Sequence, residues 1–145
     1  MVALHPPLSG LPLGFILLLA CVEALRVRPT LRPTLLITRR VLIIAVVFST
    51  VATFLSGYQA SGDLGDLAAD VQGELGRHHA YGRLLLINSL VMGTFSWIAG
   101  RAVHGRTFVT VIYYITLAIQ LGLTIAVGWM GGALVFERGL GVRVH

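Results

Sequence analysis

The chain has 145 residues, of which 56% are hydrophobic and 12% are charged, and its mean hydropathy is +0.85. Soluble domains average about 45–50% apolar and about 25% charged residues, so this composition excludes a soluble globular protein and predicts an integral membrane protein. The net charge of +5 is the balance of 11 basic and 6 acidic residues, and the basic residues are all arginines. Because they cluster in short connectors between apolar runs, we interpret them as topology signals and expect no nucleic-acid partner.

The apolar runs predict an all-α fold, an integral membrane four-helix antiparallel bundle that forms one transmembrane domain over residues 1–145. The connector after the first run contains prolines that prevent a continuous helix. The fourth run exceeds the ~20 residues that a bilayer needs, so we expect it to tilt or to continue past the lipid. The predicted spans are approximately 8–25, 41–56, 81–99 and 107–136.

The only long polar segment, residues 58–83, lies between the second and third spans. Within it, apolar residues recur at helical spacing from Leu64 to Leu75, while acidic residues occupy the other face. This pattern predicts a short outer amphipathic helix on the membrane surface. We interpret its acids as a solvated face, namely Asp63, Asp66, Asp70 and Glu74.

The arginines are distributed unequally between the two sides of the predicted bundle. The positive-inside rule places the connectors richer in arginine in the cytoplasm. Both termini and the central polar segment are then expected in the periplasm, with the chain in the bacterial cytoplasmic (inner) membrane. The connectors assigned to the cytoplasm hold Arg26, Arg28, Arg32, Arg39, Arg40, Arg101 and Arg106, against Arg77, Arg83, Arg138 and Arg143 on the other side.

Two polar contacts are predicted within the spans. Asn88 and Gln120 fall at comparable depths on antiparallel neighbours, which favours a hydrogen bond between helices. Glu23 lies three residues before Arg26, a spacing that favours an ion pair on one helix face.

Glycines are frequent in the third and fourth spans, for example Gly128 and Gly132. Small residues let helix backbones approach closely in lipid, so these glycines indicate packing within the bundle. Two other interpretations stay open, which are room for a flat cofactor and a contact with a partner membrane subunit or a second copy of the chain.

The histidines are the strongest candidates for site chemistry. A bis-histidine haem site needs two imidazoles from different segments at similar depth. His5, ahead of the first span, and His79, at the start of the third, meet that requirement, and His78 is adjacent. Arg83 and Arg138 are candidates to pair with haem propionates.

The same imidazoles suit other roles. Copper or zinc also binds imidazole nitrogen, and the candidate ligands for such a metal are His5, His79 and His145. Alternatively, these histidines are solvated groups at the membrane interface. The sequence contains no nucleophile elbow, phosphate-binding glycine loop or zinc-protease motif, so we expect no stand-alone enzyme.

Three features together resemble a known family: His5 and Pro6 before the first span, the acid Glu23 at its end, and a closing segment GGALVFERGLGV from Gly131 to Val142. The chain resembles the bacterial four-span membrane proteins catalogued as a domain of unknown function, family 2231. That family closes with GG-x-LV-Y-x-x-G-x-GV, and Phe136 here replaces the tyrosine and lacks its hydroxyl. The resemblance implies a four-span fold and companionship with respiratory or redox proteins.

These observations lead to one functional prediction and two alternatives. The first is a small membrane electron-transfer component with one b-type haem near the periplasmic face. The second is a non-catalytic structural or assembly subunit of a larger respiratory or redox complex in the membrane. The third is a metal-binding membrane protein.

Overall fold

The computed structural model describes residues 8–62, 64, 67–101 and 106–140. This part of the chain is all-helical, with four α-helices and one 3₁₀ turn at Pro29–Leu31. The α-helices are α1 (Leu11–Leu25), α2 (Leu35–Gly62), α3 (Ala69–Ala99) and α4 (Arg106–Phe136).

Three of these helices, α2, α3 and α4, are long and apolar enough to cross a membrane. α1 is apolar but has only 15 residues, fewer than the ~20 that a bilayer requires. Three membrane-crossing helices therefore follow from length and composition, and a fourth crossing by α1 stays a prediction.

The second helix is longer at both ends than the predicted span 41–56. α2 begins at Leu35 and includes Arg39 and Arg40, which the sequence pattern had assigned to a connector. Arg39 is tolerated inside the helix because its guanidinium pairs with Glu23 of α1. A paired charge costs far less at the membrane boundary than an isolated one.

The prediction of a separate amphipathic helix before the third span was wrong for residues 69–80. These residues form the first turns of α3, which continues without a break to Ala99. No proline interrupts this stretch, and Gly73 and Gly76 lower helix propensity by only about 1 kcal/mol each. The acids at Asp63 and Asp66 lie outside the described residues.

The buried core draws on all four helices. Since every helix contributes at least one side chain, the four helices pack as one unit around a common centre. The core residues are Ile16 and Leu19 of α1, Ile43 and Val46 of α2, Met92 of α3, and Tyr113 and Leu117 of α4.

Buried hydroxyls in this core bond to their own helices. Thr50 donates to the Val46 carbonyl at 2.7 Å, Ser89 donates to the Leu86 carbonyl at 2.8 Å, and Thr124 donates to the Gln120 carbonyl at 2.7 Å. This pattern satisfies the polar atoms without a partner helix.

Along the contact between α3 and α4, residue numbers increase on α3 as they decrease on α4. Glu74 meets Arg138, His78 meets Gly131, and Asn88 meets Gln120. The Asn88 amide donates to Gln120 Oε1 at 2.8 Å and to the Thr116 carbonyl at 2.9 Å. The predicted hydrogen bond between Asn88 and Gln120 is confirmed.

Replacement of Asn88 by leucine should destabilise the fold by about 0.6–1.7 kcal/mol, because it leaves Gln120 Oε1 and the Thr116 carbonyl without their donor. Gln120 Nε2 is already buried without a hydrogen-bond partner among the described residues. The double variant Asn88→Leu/Gln120→Leu should therefore lose less than the sum of the single changes.

Unfolding in bicelles would measure these differences. Thr94→Val is the matched control, since the exposed Thr94 hydroxyl bonds only to the Leu90 carbonyl of its own helix. Additive losses in the double variant would contradict coupling between Asn88 and Gln120.

Candidate functional site

One end of the helix bundle contains a pocket of about 590 Å³ lined by residues of all four helices. This volume lies within the ~300–1,000 Å³ typical of ligand sites. Its wall includes many glycines, namely Gly10, Gly57, Gly82, Gly128, Gly131 and Gly132.

Three of the predicted site residues lie on the wall of this pocket: His78, His79 and Arg83. All three come from the early turns of α3, the stretch that continues directly into the membrane-crossing part of the helix. His5 and His145 lie outside the described residues, so the predicted pairing of His5 with His79 is not described.

The two histidine rings point in different directions from α3. Consecutive residues on an α-helix are about 100° apart, and the ring centroids lie 6.2 Å apart with their planes tilted by 47°. His78 packs against α4, because a Cβ built on Gly131 would lie 3.2 Å from His78 Cε1. The glycine at position 131 thus makes room for the imidazole.

All three threonine hydroxyls in the pocket wall donate to backbone carbonyls. Thr50 and Thr124 bond within their own helices, and Thr53 donates to the Leu8 carbonyl at 3.0 Å. These donors are therefore committed, and the remaining wall is mainly apolar. The pocket thus combines an apolar interior with two imidazoles and one guanidinium.

Arg138, predicted as a haem contact, does not line this pocket within the described residues. It makes two hydrogen bonds to Glu74, at 2.6 and 3.1 Å, and one to Asp70 at 3.1 Å. The bonds to Glu74 raise the pKa of Arg138 above its usual value. Asp70 and Glu74 are therefore ion-paired, which corrects their interpretation as a merely solvated face.

The turn that follows α4 places Arg138 beside the start of α3. Gly139 adopts a left-handed backbone conformation with φ of +67°, which glycine reaches without steric cost. The chain then folds back, and the Leu140 N–H bonds to the Leu134 carbonyl at 3.0 Å. This turn keeps the end of α4 near the pocket.

A second polar cluster lies at the opposite end of the bundle, around Glu23. The Glu23 side chain is only 5% exposed. Arg26 donates to Oε2 at 2.8 Å, which confirms the predicted ion pair, and Arg39 donates to Oε1. The hydroxyls of Tyr113 and Tyr114 also donate to the carboxylate, at 2.7 and 3.1 Å.

Sequence reasoning missed Arg39, Tyr113 and Tyr114 as partners of Glu23. The signal that could have found them is the demand of a buried carboxylate for several donors, which one arginine on the same helix does not meet. Arg39 also lies over the Tyr113 ring, 4.5 Å from its centroid. Three helices therefore converge on one carboxylate.

Within the described residues, no group of three or more histidine, cysteine, aspartate or glutamate side chains could hold a metal ion. The predicted metal ligands His5 and His145 fall outside those residues, so the metal alternative stays a prediction. Cys21, which the sequence pattern favours as a small core residue, is exposed.

No protein-family model, no curated protein and no solved structure matches this chain.

Replacement of Glu23 by alanine should destabilise the protein by about 3–5 kcal/mol, because two largely buried arginines and two tyrosine hydroxyls lose their common acceptor. The comparison is Glu137→Ala, an exposed acid just past α4. Thermal unfolding in detergent would measure both, and equal losses would contradict a central role for Glu23.

Replacement of Gly131 by alanine should displace the His78 ring, since the new methyl would lie only 3.2 Å from Cε1. Gly122→Ala is the matched control on the same helix, where a Cβ meets nothing within 4 Å. Imidazole ¹H–¹⁵N spectra would detect the change at His78. Unchanged His78 signals in Gly131→Ala would contradict the contact.

Proposed function

We propose that this protein is a small electron-transfer component of the bacterial inner membrane that binds one b-type haem in the glycine-lined pocket. The observation that carries the proposal is the position of His78, His79 and Arg83 on the wall of an apolar pocket of about 590 Å³. Flat, mainly apolar groups with acidic substituents suit a pocket of that composition. The bound haem would supply one-electron transfer at its iron.

His79 is the proposed axial ligand from α3. His78 and His79 are successive residues, so the helix directs them apart, and the packing of His78 on Gly131 assigns that ring a place between helices. His79, which also lies on the pocket wall, is therefore the one we propose as a ligand. Arg83, one turn later, would pair with a propionate.

His5 is the proposed second ligand. The chain immediately after it lies at the pocket, since Ser9 and Gly10 line the wall and the Leu8 carbonyl accepts a bond from Thr53. Leu8 is three positions after His5, and three residues of extended chain reach at most about 10 Å. A histidine on that tether is within range of a group in the pocket.

The proposed membrane arrangement is an antiparallel bundle of four spans, with α1 as the shortest. The excess of arginines in the first and third connectors favours a cytoplasmic location for them and a periplasmic location for the termini and the pocket. The resemblance to the family of unknown function numbered 2231 supports the same four-span arrangement.

A second candidate function is that of a structural or assembly subunit. Gly122 and Gly128 of α4 are exposed, and a Cβ at either position would meet nothing within 4 Å. Gly122 does not line the pocket, so its small size serves no contact within the described chain. Exposed glycines on a membrane helix favour close approach by another helix, from a partner subunit or a second copy.

An absorption spectrum of protein expressed with ample haem, with and without dithionite, tests the haem proposal. We expect a Soret band that is lost in His79→Ala and retained in His104→Ala, because His104 belongs to the connector predicted on the cytoplasmic side. His5→Ala should also remove or shift the band. Absence of any Soret band in the unmodified protein would overturn the proposal.

Purification in mild detergent separates the two candidates. A haem-free protein that is purified with a stoichiometric partner, and loses it in Gly122→Leu, would favour the subunit function. A stable, lone monomer without haem would contradict both.

A further inference from the structure

The segment from Glu23 to Arg40 carries one acid and five arginines. It forms the end of α1, the 3₁₀ turn and the start of α2, so its charges are concentrated at one end of the bundle. Arg28, Arg32 and Arg40 are exposed there. This is the end opposite the glycine-lined pocket.

The single negative charge of Glu23 neutralises the charge of only one of the two arginines that donate to it. Its two oxygens accept from Arg26 and Arg39 and from two tyrosine hydroxyls, so the carboxylate is fully occupied. Arg26 and Arg39 are themselves largely buried, with side chains 20% and 11% exposed. A positive charge thus remains beside apolar surface, where an uncompensated charge is unfavourable.

The shortage of hydrogen-bond acceptors in this cluster is visible at Arg26. Its Nη1 bonds to Glu23, but its Nε is buried and makes no hydrogen bond among the described residues. Its backbone carbonyl accepts from Arg32 Nε at 3.0 Å, which draws a second guanidinium toward the same point. The cluster is therefore rich in donors and short of acceptors.

The surroundings of the cluster are those of a membrane boundary. The end of α3 lies at the same end of the bundle as Glu23. There Arg101 stacks on the exposed Trp97, 3.9 Å from the ring centroid. Tryptophan and arginine at a helix end are typical of the headgroup level. Exposed apolar side chains adjoin the cluster on α2, including Ile37 and Val41.

We infer that this end of the protein binds the phosphate of an anionic phospholipid, such as phosphatidylglycerol. Arginine forks match phosphate geometry, and the adjoining apolar side chains would contact the acyl chains. Basic pockets between membrane helices on the cytoplasmic side bind acidic headgroups by this chemistry. A lipid supplies an acceptor for the exposed guanidinium groups of Arg28, Arg32 and Arg40 together with the apolar contact, whereas a free anion supplies only the acceptor.

Native mass spectrometry of the full chain released from phosphatidylcholine nanodiscs, with and without phosphatidylglycerol, tests the inference. We expect the unmodified protein to retain phosphatidylglycerol. Its retention should fall about fivefold in Arg28→Gln and in Arg40→Gln. This change corresponds to ~1 kcal/mol per arginine near an anionic surface. Arg77→Gln, which removes an exposed arginine of α3 near the pocket end, should retain the lipid.

Arg28 and Arg40 make no side-chain hydrogen bond or ion pair within the described residues, so both variants should fold. Unchanged unfolding midpoints in phosphatidylcholine alone would verify this. Equal loss of lipid in Arg77→Gln would overturn the site in favour of diffuse surface attraction. Complete displacement of phosphatidylglycerol by inorganic phosphate would overturn the lipid as ligand. Equal retention of phosphatidylglycerol and phosphatidylcholine would overturn the inference altogether.

Discussion

The arrangement of the helices depends on the burial of one carboxylate. Glu23 is nearly inaccessible in an apolar chain, and an ionised acid there is tolerated only when donors surround it. Those donors come from α1, α2 and α4, so the ion pairs and hydrogen bonds fix how these three helices are rotated about their axes. Apolar packing alone specifies the rotation of a helix poorly in a bilayer, because the lipid tails are as apolar as the side chains.

The two ends of the bundle differ in the side chains that fill them. At the Glu23 end, one buried carboxylate accepts bonds from the donors that hold α1, α2 and α4 together. At the other end, glycines replace larger side chains and leave a pocket beside the imidazoles of α3. Between them, the Asn88 amide joins α3 to α4.

The features that the sequence predicted depend either on residues of a single segment or on the depth of a residue within its membrane span. Asn88 and Gln120 are the only carboxamides inside their spans, so their depth alone identified them as partners. The spacing of Glu23 and Arg26 identified the ion pair, since both lie on one helix. The helical class and the three long apolar helices followed from hydropathy.

Features that depend on contacts between distant segments were not accessible in this way. Nothing local to Tyr113 or Arg39 indicates which way it faces, because the spans are apolar on all sides and carry little amphipathic signal. The boundary of α2 was misplaced because Arg39 was counted as connector before its partner was known. Arg138 was assigned to a cofactor, since its pairing with Asp70 and Glu74 spans more than 60 residues of sequence.

The short length of α1 has a consequence for how the pocket is reached. Fifteen residues rise about 22 Å, less than the ~30 Å of a hydrocarbon core. If α1 crosses the membrane as predicted, with its Glu23 end at one boundary, its first turn, which includes Pro12 of the pocket wall, ends below the opposite headgroups. The hydrophobic mismatch would then thin the bilayer beside the pocket. A ligand would then partition into the lipid first and enter sideways between helices, so its effective concentration would follow its solubility in the membrane rather than in water.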